Sequence, residues 1–330
     1  MNFDLLNDKV SIGFFPTPIH FLKNLSELFP DYRIFMKRDD NTGLATGGNK
    51  TRKLEYLLYD AKVKGCDTVI TTGAQQSNHC RQTAAASSSV GLECRLILRG
   101  KEPGNFQGNL LLSKLLGAKI HFTNDNKKEA DFEPLINSLK TQGKKPYVIP
   151  YGGSNIIGAM GFVNAVKEIK QQIKSMNISL DYIFFASSSG GTQAGLTLGI
   201  ELFDLKTELI PINIDKEETY GLTLQELALK LVNEGKDLLK IKKDFKLNDI
   251  KVINDYNDAP YGVFTENENY SIKLLAEKEG ILLDPVYTGR AFYGMIDMIR
   301  KGMVRKNTNI LFWHTGGIPA LFDYSDQIKF

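Results

Sequence analysis

From Asp67 to His314, short apolar runs alternate with longer stretches of helical periodicity, and this alternation restricts the fold more than any other feature of the chain. DTVITTG (67–73), CRLILRG (94–100), AKIHFT (118–123), KPYVIP (145–150), DYIFFASSS (181–189), ELIPINI (208–214) and NILFWH (309–314) read as strands. SNHCRQTAAASSSVG (77–91), NLLLSKLLG (109–117), GFVNAVKEIKQQI (161–173), GTQAGLTLGIELF (191–203), NYSIKLLAEKEG (269–280) and GRAFYGMIDMIRKG (289–302) read as helices. Strand followed by helix, many times over, means parallel sheets covered by helices. The apolar residues of 181–189 are continuous rather than alternating, which predicts a strand buried on both faces. KEPGNFQG (101–108) and NDNKKEADFEP (124–134) read as surface connections.

Composition removes several classes of function. The 330 residues, 42% hydrophobic and 24% charged, suffice for two domains or one large one. A net charge of +3, with no basic tract, argues against a nucleic-acid partner. No apolar run approaches the roughly 20 residues of a membrane span, and MNFDLLNDKVS carries acids where a signal peptide needs positive charge. The cysteines Cys66, Cys80 and Cys94 are odd in number and lack metal-ligand spacing, so neither disulfides nor a metal site is expected. A soluble cytoplasmic protein is the expectation.

Ligands of open α/β sheets sit at the carboxyl ends of strands, which directs attention to the turns after Ile70, Phe185 and Phe312. ASSSGGTQAG (186–195) places two glycines between hydroxyl residues ahead of a helix, a natural phosphate cradle and equally a tight strand-to-helix connection. It is neither a Walker A loop nor a G-x-G-x-x-G dinucleotide turn. GAQQSNHCRQ (73–82) puts Ser77 and Asn78 at a helix start, where either can serve as a simple N-cap. His79 and His314 read as packing or hydrogen-bonding residues. GGNKTRKLE (47–55) crowds Lys50, Arg52 and Lys53 behind a glycine pair. A phosphate cradle without its own lysine, combined with a lysine after a glycine pair, points to pyridoxal phosphate, with Lys50 forming the Schiff base and Lys53 reaching the phosphate one turn later. A non-catalytic binder of a phosphate or nucleotide, using the 186–195 turn alone, is the reading from a different class.

KRDDNTGLATGGNKTRKLE, GAQQSNHCRQTAA, PYVIPYGGSNIIGAMGF, SSGGTQAGL, APYG, GILLDPVYTGRAFYGM and HTGGIPALF resemble the D-cysteine desulfhydrase and 1-aminocyclopropane-1-carboxylate deaminase family, from about Thr17 to Tyr324. These are pyridoxal-phosphate lyases and deaminases of the tryptophan-synthase-β-like class, fold type II. The resemblance implies two parallel-sheet α/β domains with the cofactor in the cleft between them. The small domain would span 53–161, and the large one would combine 1–52 with 162–330; a homodimer is implied as well. Carried onto this chain, it makes Lys50 the Schiff-base lysine and Ser77 a hydroxyl acting in proton transfer. Asn78 would lie against the cofactor ring. Lys53 with the backbone of Ser189, Gly190, Gly191 and Thr192 would hold the phosphate, Tyr261 and Tyr287 would be the active-site tyrosines, and Thr315 would meet the pyridine nitrogen.

The chemistry implied is elimination from D-cysteine to pyruvate, hydrogen sulfide and ammonia, with the cyclopropane deaminase or another amino-acid lyase, such as an L-cysteate sulfo-lyase, as alternatives. The base for the Cα proton is either the Lys50 amine or Ser77 aided by Tyr287. Arg52 and Lys53 are expected to disfavour the ammonium form of Lys50. Family deaminases carry Glu at the position of Thr288 and Leu at that of Thr315, so threonine at both points to the desulfhydrase branch.

Overall fold

A computed structural model describes residues 6–125 and 131–330; the first five residues of the N-terminal stretch and residues 126–130 of the polar connection lie outside it. Nine strands form two sheets among the described residues. They are β1 (Ile19–Phe21), β2 (Tyr32–Arg38), β3 (Thr68–Gly73), β4 (Glu93–Leu98), β5 (Lys119–Phe122), β6 (Pro146–Val148), β7 (Tyr182–Ser187), β8 (Glu208–Asn213) and β9 (Thr308–His314). The larger sheet has the order β1-β2-β9-β7-β8 and the smaller β5-β4-β3-β6. Every pairing is parallel except β1 with β2. The expected α/β architecture of two parallel sheets is therefore the one observed, with a single antiparallel pairing at the edge of the larger.

The continuous apolar run of β7 does lie inside two cores. Ile183 and Phe185 pack with Leu311, Trp313, Phe162 and Leu196 on one face. Phe184 and Ala186 pack with Ile310, Phe312, Phe292 and Met295 on the other. A period of two thus assigns successive residues of β7 and β9 to opposite helical layers.

Several elements differ from the sequence reading. β1 and β2 were not anticipated, because Arg33 and Lys37 interrupt the apolar run of YRIFMKR. Lys37 is nevertheless fully buried, its amine bonded to Glu168, Gln172 and the Thr17 carbonyl. Helices Lys23–Leu28, Glu133–Thr141 and Leu224–Leu238 are likewise additional. The last opens on a capping box between Thr223 and Glu226, a readable signal. The helix expected over 161–173 runs from Ile156 to Ser175, capped by Asn155. Loop 101–108 is irregular as expected, up to the helix that begins at Gly108.

Candidate active site

Three strand ends converge. Ser77 and Asn78 after β3, Ser188 to Gly190 after β7 and Thr315 after β9 line one cavity, together with Lys50, His79, Tyr151 and Tyr287. The cavity thus lies between the two sheets, at the carboxyl ends of their strands, where the alternating pattern placed it. No acidic side chain lines it.

Lys50 is the first residue of the helix Lys50–Val63, and its entry is tied to β9 by the Asn49 N–H donating to the Thr315 carbonyl at 3.0 Å. Its amine makes no hydrogen bond or ion pair among the described residues, and burial lowers its pKa to about 8. Lys53 lies deeper and donates to the Gly152 carbonyl and Ser154 Oγ, both at 3.0 Å. Burial and then the Lys50 charge push its pKa well down. Arg52 does not share this role, contrary to expectation. It turns to the opposite side, to Asp39 and Glu168 at 2.8 and 2.9 Å, and these carboxylates raise its pKa against the effect of burial. Burial, not Arg52, is what makes the Lys50 ammonium less favourable.

The turn after β7 has the form of an anion cradle. Gly190 adopts φ +74°, a left-handed conformation that glycine takes without strain, and helix Gly191–Leu202 starts from it. A Cβ on Gly191 would stand 2.6 Å from Ser154 Oγ and 2.9 Å from Lys53 Nζ, so only glycine lets the backbone approach that lysine. Ser154 and Ser189 share a hydroxyl contact of 2.7 Å, and the Ser188 hydroxyl is buried without a partner. A cation lacking a carboxylate partner, an orphaned hydroxyl and a helix N-terminus together fit a phosphate dianion, with an amine at hand for an aldehyde.

Two cavity residues are oriented from behind in ways the sequence reading missed. The buried Arg81 donates through Nε to Asn109 Oδ1 at 2.8 Å, which obliges Asn109 Nδ2 to donate to Asn78 Oδ1, also at 2.8 Å. The Asn78 NH2 is thereby left to face elsewhere. Arg81 also donates to the Gly47 carbonyl at 3.0 Å, tying the loop before Lys50 to the helix that bears Asn78. His79 is held at Nε2 by Thr71 Oγ1 at 2.9 Å, and Thr71 spends its own proton on the Ile149 carbonyl. Nε2 must therefore carry the proton and Nδ1 is the bare, unpartnered acceptor. Burial, with Lys50 and Lys53 nearby, keeps the ring neutral.

Ser77 caps its helix by accepting from the Cys80 N–H, as one of its readings expected, and it also lines the cavity. Tyr261 does not line the cavity but meets Tyr287 there through a 2.6 Å hydroxyl contact, ring against edge. Burial raises both phenol pKa values, so both stay protonated at neutral pH. Thr288 stands apart from the cavity. It is fully buried with its hydroxyl on Asp284 at 2.6 Å, in a turn that also fixes the Tyr287 N–H. His314 is structural, held between the Leu282 carbonyl and the Gly316 N–H.

The sequence profile of the pyridoxal-phosphate dependent enzymes matches residues 10–316. The chain belongs to that family. Its cofactor is pyridoxal phosphate, and the lysine, hydroxyls and glycine turn described above fit it. A Pyrococcus horikoshii protein, provisionally named a 1-aminocyclopropane-1-carboxylate deaminase, is 42% identical over 316 residues, covering 94% of this chain and 92% of its own. A protein of Salmonella paratyphi A named D-cysteine desulfhydrase is 41% identical over 319 residues, with 95% of each chain covered. The crystal structure of an ACC deaminase homologue superposes with a TM-score of 0.88 at 40% identity, covering 98% of this chain and 97% of its own.

Proposed function

We propose that the protein is a lyase that converts D-cysteine and water to pyruvate, hydrogen sulfide and ammonia. The observation that carries this reading is the Lys50 amine, uncompensated at the junction of three strand ends and facing a cavity with a phosphate cradle on one wall and the protonated Tyr287, backed by Tyr261, on another. A passive phosphate binder would have no use for such an amine or for the tyrosines.

In this reading Lys50 would bond the cofactor aldehyde. Lys53, with Ser189, Gly190, Gly191 and Thr192, would hold the phosphate, Asn78 would lie against the ring and Thr315 would meet its nitrogen. Bound there, pyridoxal phosphate supplies an electron sink for charge developing at Cα. The chain's own groups move the protons. Either Lys50 Nζ or Ser77 Oγ would take the Cα proton. Tyr287, whose hydroxyl meets that of Tyr261, would assist Ser77 in that transfer. The neutral hydroxyl of Thr315 would favour protonation of the ring nitrogen less than a carboxylate there, which would suffice for a good leaving group and disfavour cyclopropane opening. Thr288 belongs to this choice through the turn that carries Tyr287, not by touching substrate.

The same proposal includes a division into a small domain of 53–161 and a large one formed by the rest. All four strands of the smaller sheet fall within 53–161, although both limits lie inside helices. It also includes a homodimer in the cytoplasm. The three free cysteines agree with a reducing compartment, and no helix of the described residues is long and apolar enough to cross a membrane.

The deciding experiment measures sulfide and keto acid from D-cysteine, L-cysteine and 1-aminocyclopropane-1-carboxylate side by side. We expect sulfide from D-cysteine and little or no ammonia from the cyclopropane. Equal efficiency on the two would overturn the assignment.

A further inference from the structure

Behind the tyrosine pair lies a second chamber that elimination from D-cysteine does not require. Gln75, Gln76, Arg99, Glu217, Tyr261 and Tyr324 are among the residues of its wall, and it adjoins the Lys50 cavity at the Tyr261–Tyr287 contact. Arg99 follows directly on β4, and its backbone N–H is anchored to the Gly73 carbonyl at 3.1 Å, so it stands at the same strand-end level as the site. Its guanidinium lies over the Tyr261 ring at 5.2 Å. Only 13% of the side chain is exposed, and Nη2 is buried without any hydrogen-bond partner. Glu217 lines the same chamber and forms an ion pair with Arg99 at 3.8 Å from Nη1, beyond hydrogen-bond reach, and is itself 57% exposed to solvent. Asp215 also lies close enough to act on the tyrosines. Arg99 thus belongs to the chamber wall and carries a buried guanidinium nitrogen without an acceptor.

We propose that Arg99 reads an oxyanion on the substrate side chain, making this chamber a subsite for β-substituted amino acids with an anionic leaving group, such as a sulfate or phosphate ester. The α-carboxylate has a separate place, because helix Asn78–Ser89 opens on the Lys50 cavity with first N–H groups that have no partner within the helix. The step balances as it does for thiol: the Cα proton is removed, the Cβ–O bonding pair leaves with the ester anion, and one water completes the release of pyruvate and ammonia. The inference rests on the lyase reading above.

The test compares kcat/KM of the holoenzyme for O-phospho-D-serine and O-sulfo-D-serine with that for β-chloro-D-alanine, whose substituent is uncharged. Arg99→Gln should lower the anionic-to-neutral ratio by on the order of tenfold or more, mainly through KM, because a donor built for an acceptor discriminates strongly. Arg99→Lys should restore part of the ratio, and Glu217→Gln, which removes a competing carboxylate, should raise it. Melting temperature and near-visible absorbance report whether each variant is folded and loaded. Should Arg99→Gln fail to fold, an unchanged ratio in Glu217→Gln overturns the proposal. An equal ratio in the wild type and a folded Arg99→Gln also overturns it, while keto acid from β-chloro-D-alanine leaves the lyase reading standing. An enzyme that releases keto acid from no β-substituted D-amino acid ends both.

Discussion

Arg52 and Lys53 are neighbours on one helix, both almost wholly buried at 4% and 1% exposure, yet they face opposite conditions. Arg52 is saturated: Asp39 and Glu168 take its donors, Trp313 Nε1 adds a 2.8 Å bond to Asp39, and Lys37 joins from β2 through Glu168. Lys53 has one carbonyl and one hydroxyl, and its nearest charge is another lysine. A buried cation compensated within the fold holds elements together, whereas one left uncompensated awaits an anion from outside. On the proposed reading the two faces of the helix divide structure from binding, and each of the following measurements can break that division.

The largest effect should come from Lys50→Ala. It removes the only amine proposed to bond the aldehyde, so near-visible absorbance and turnover should vanish together, with kcat down on the order of 10³-fold or more. Retained absorbance that borohydride bleaches would place the covalent bond elsewhere.

Matched replacements sharpen the contrast directly. Arg52→Met strands Asp39 and part of Glu168 without their partner and should destabilise the fold by about 3–5 kcal/mol. Lys53→Met removes an uncompensated charge, so the apoprotein should melt no lower, while cofactor affinity falls roughly 10- to 100-fold. Urea melts of apoprotein and cofactor titrations on both variants decide the matter. Equal losses in both columns would abolish the distinction.

Ser77 sits on the boundary between the two roles. If its hydroxyl moves a proton, Ser77→Ala lowers kcat by on the order of 10²-fold. As a helix cap alone it would shift stability by about 1 kcal/mol with turnover nearly intact. Kinetics and a melt on the same variant separate these outcomes.

The smallest effect is in pH. The Lys50 amine must be neutral to attack an aldehyde, and burial brings its pKa from 10.5 to about 8. Deprotonation proceeds as pH rises, so the rate at which apoprotein takes up cofactor should climb through about pH 8 and then level. A midpoint near the ordinary lysine value would mean that the amine is solvated rather than buried.

Local pattern was enough for the parallel sheets and for the strand ends that line the cavity together with Lys50, because periodicity and turn chemistry are encoded within a few residues. The helix Leu224–Leu238 was equally local, announced by Thr223 and Glu226, and simply was not read from them. The strand β2 was hidden for a different reason: Lys37 looks like a surface residue until Glu168, 131 positions away, is folded against it. The direction of Arg52, the orientation of Asn78 by Arg81 and Asn109, the tautomer of His79 and the open donor of Arg99 are of this second kind. Each depends on which distant groups arrive as partners, and burial multiplies the consequence of every partner gained or missing. Residue type and spacing determined where the chemistry would gather; which buried charges are satisfied, and which are left to a ligand, was decided only by the packed chain.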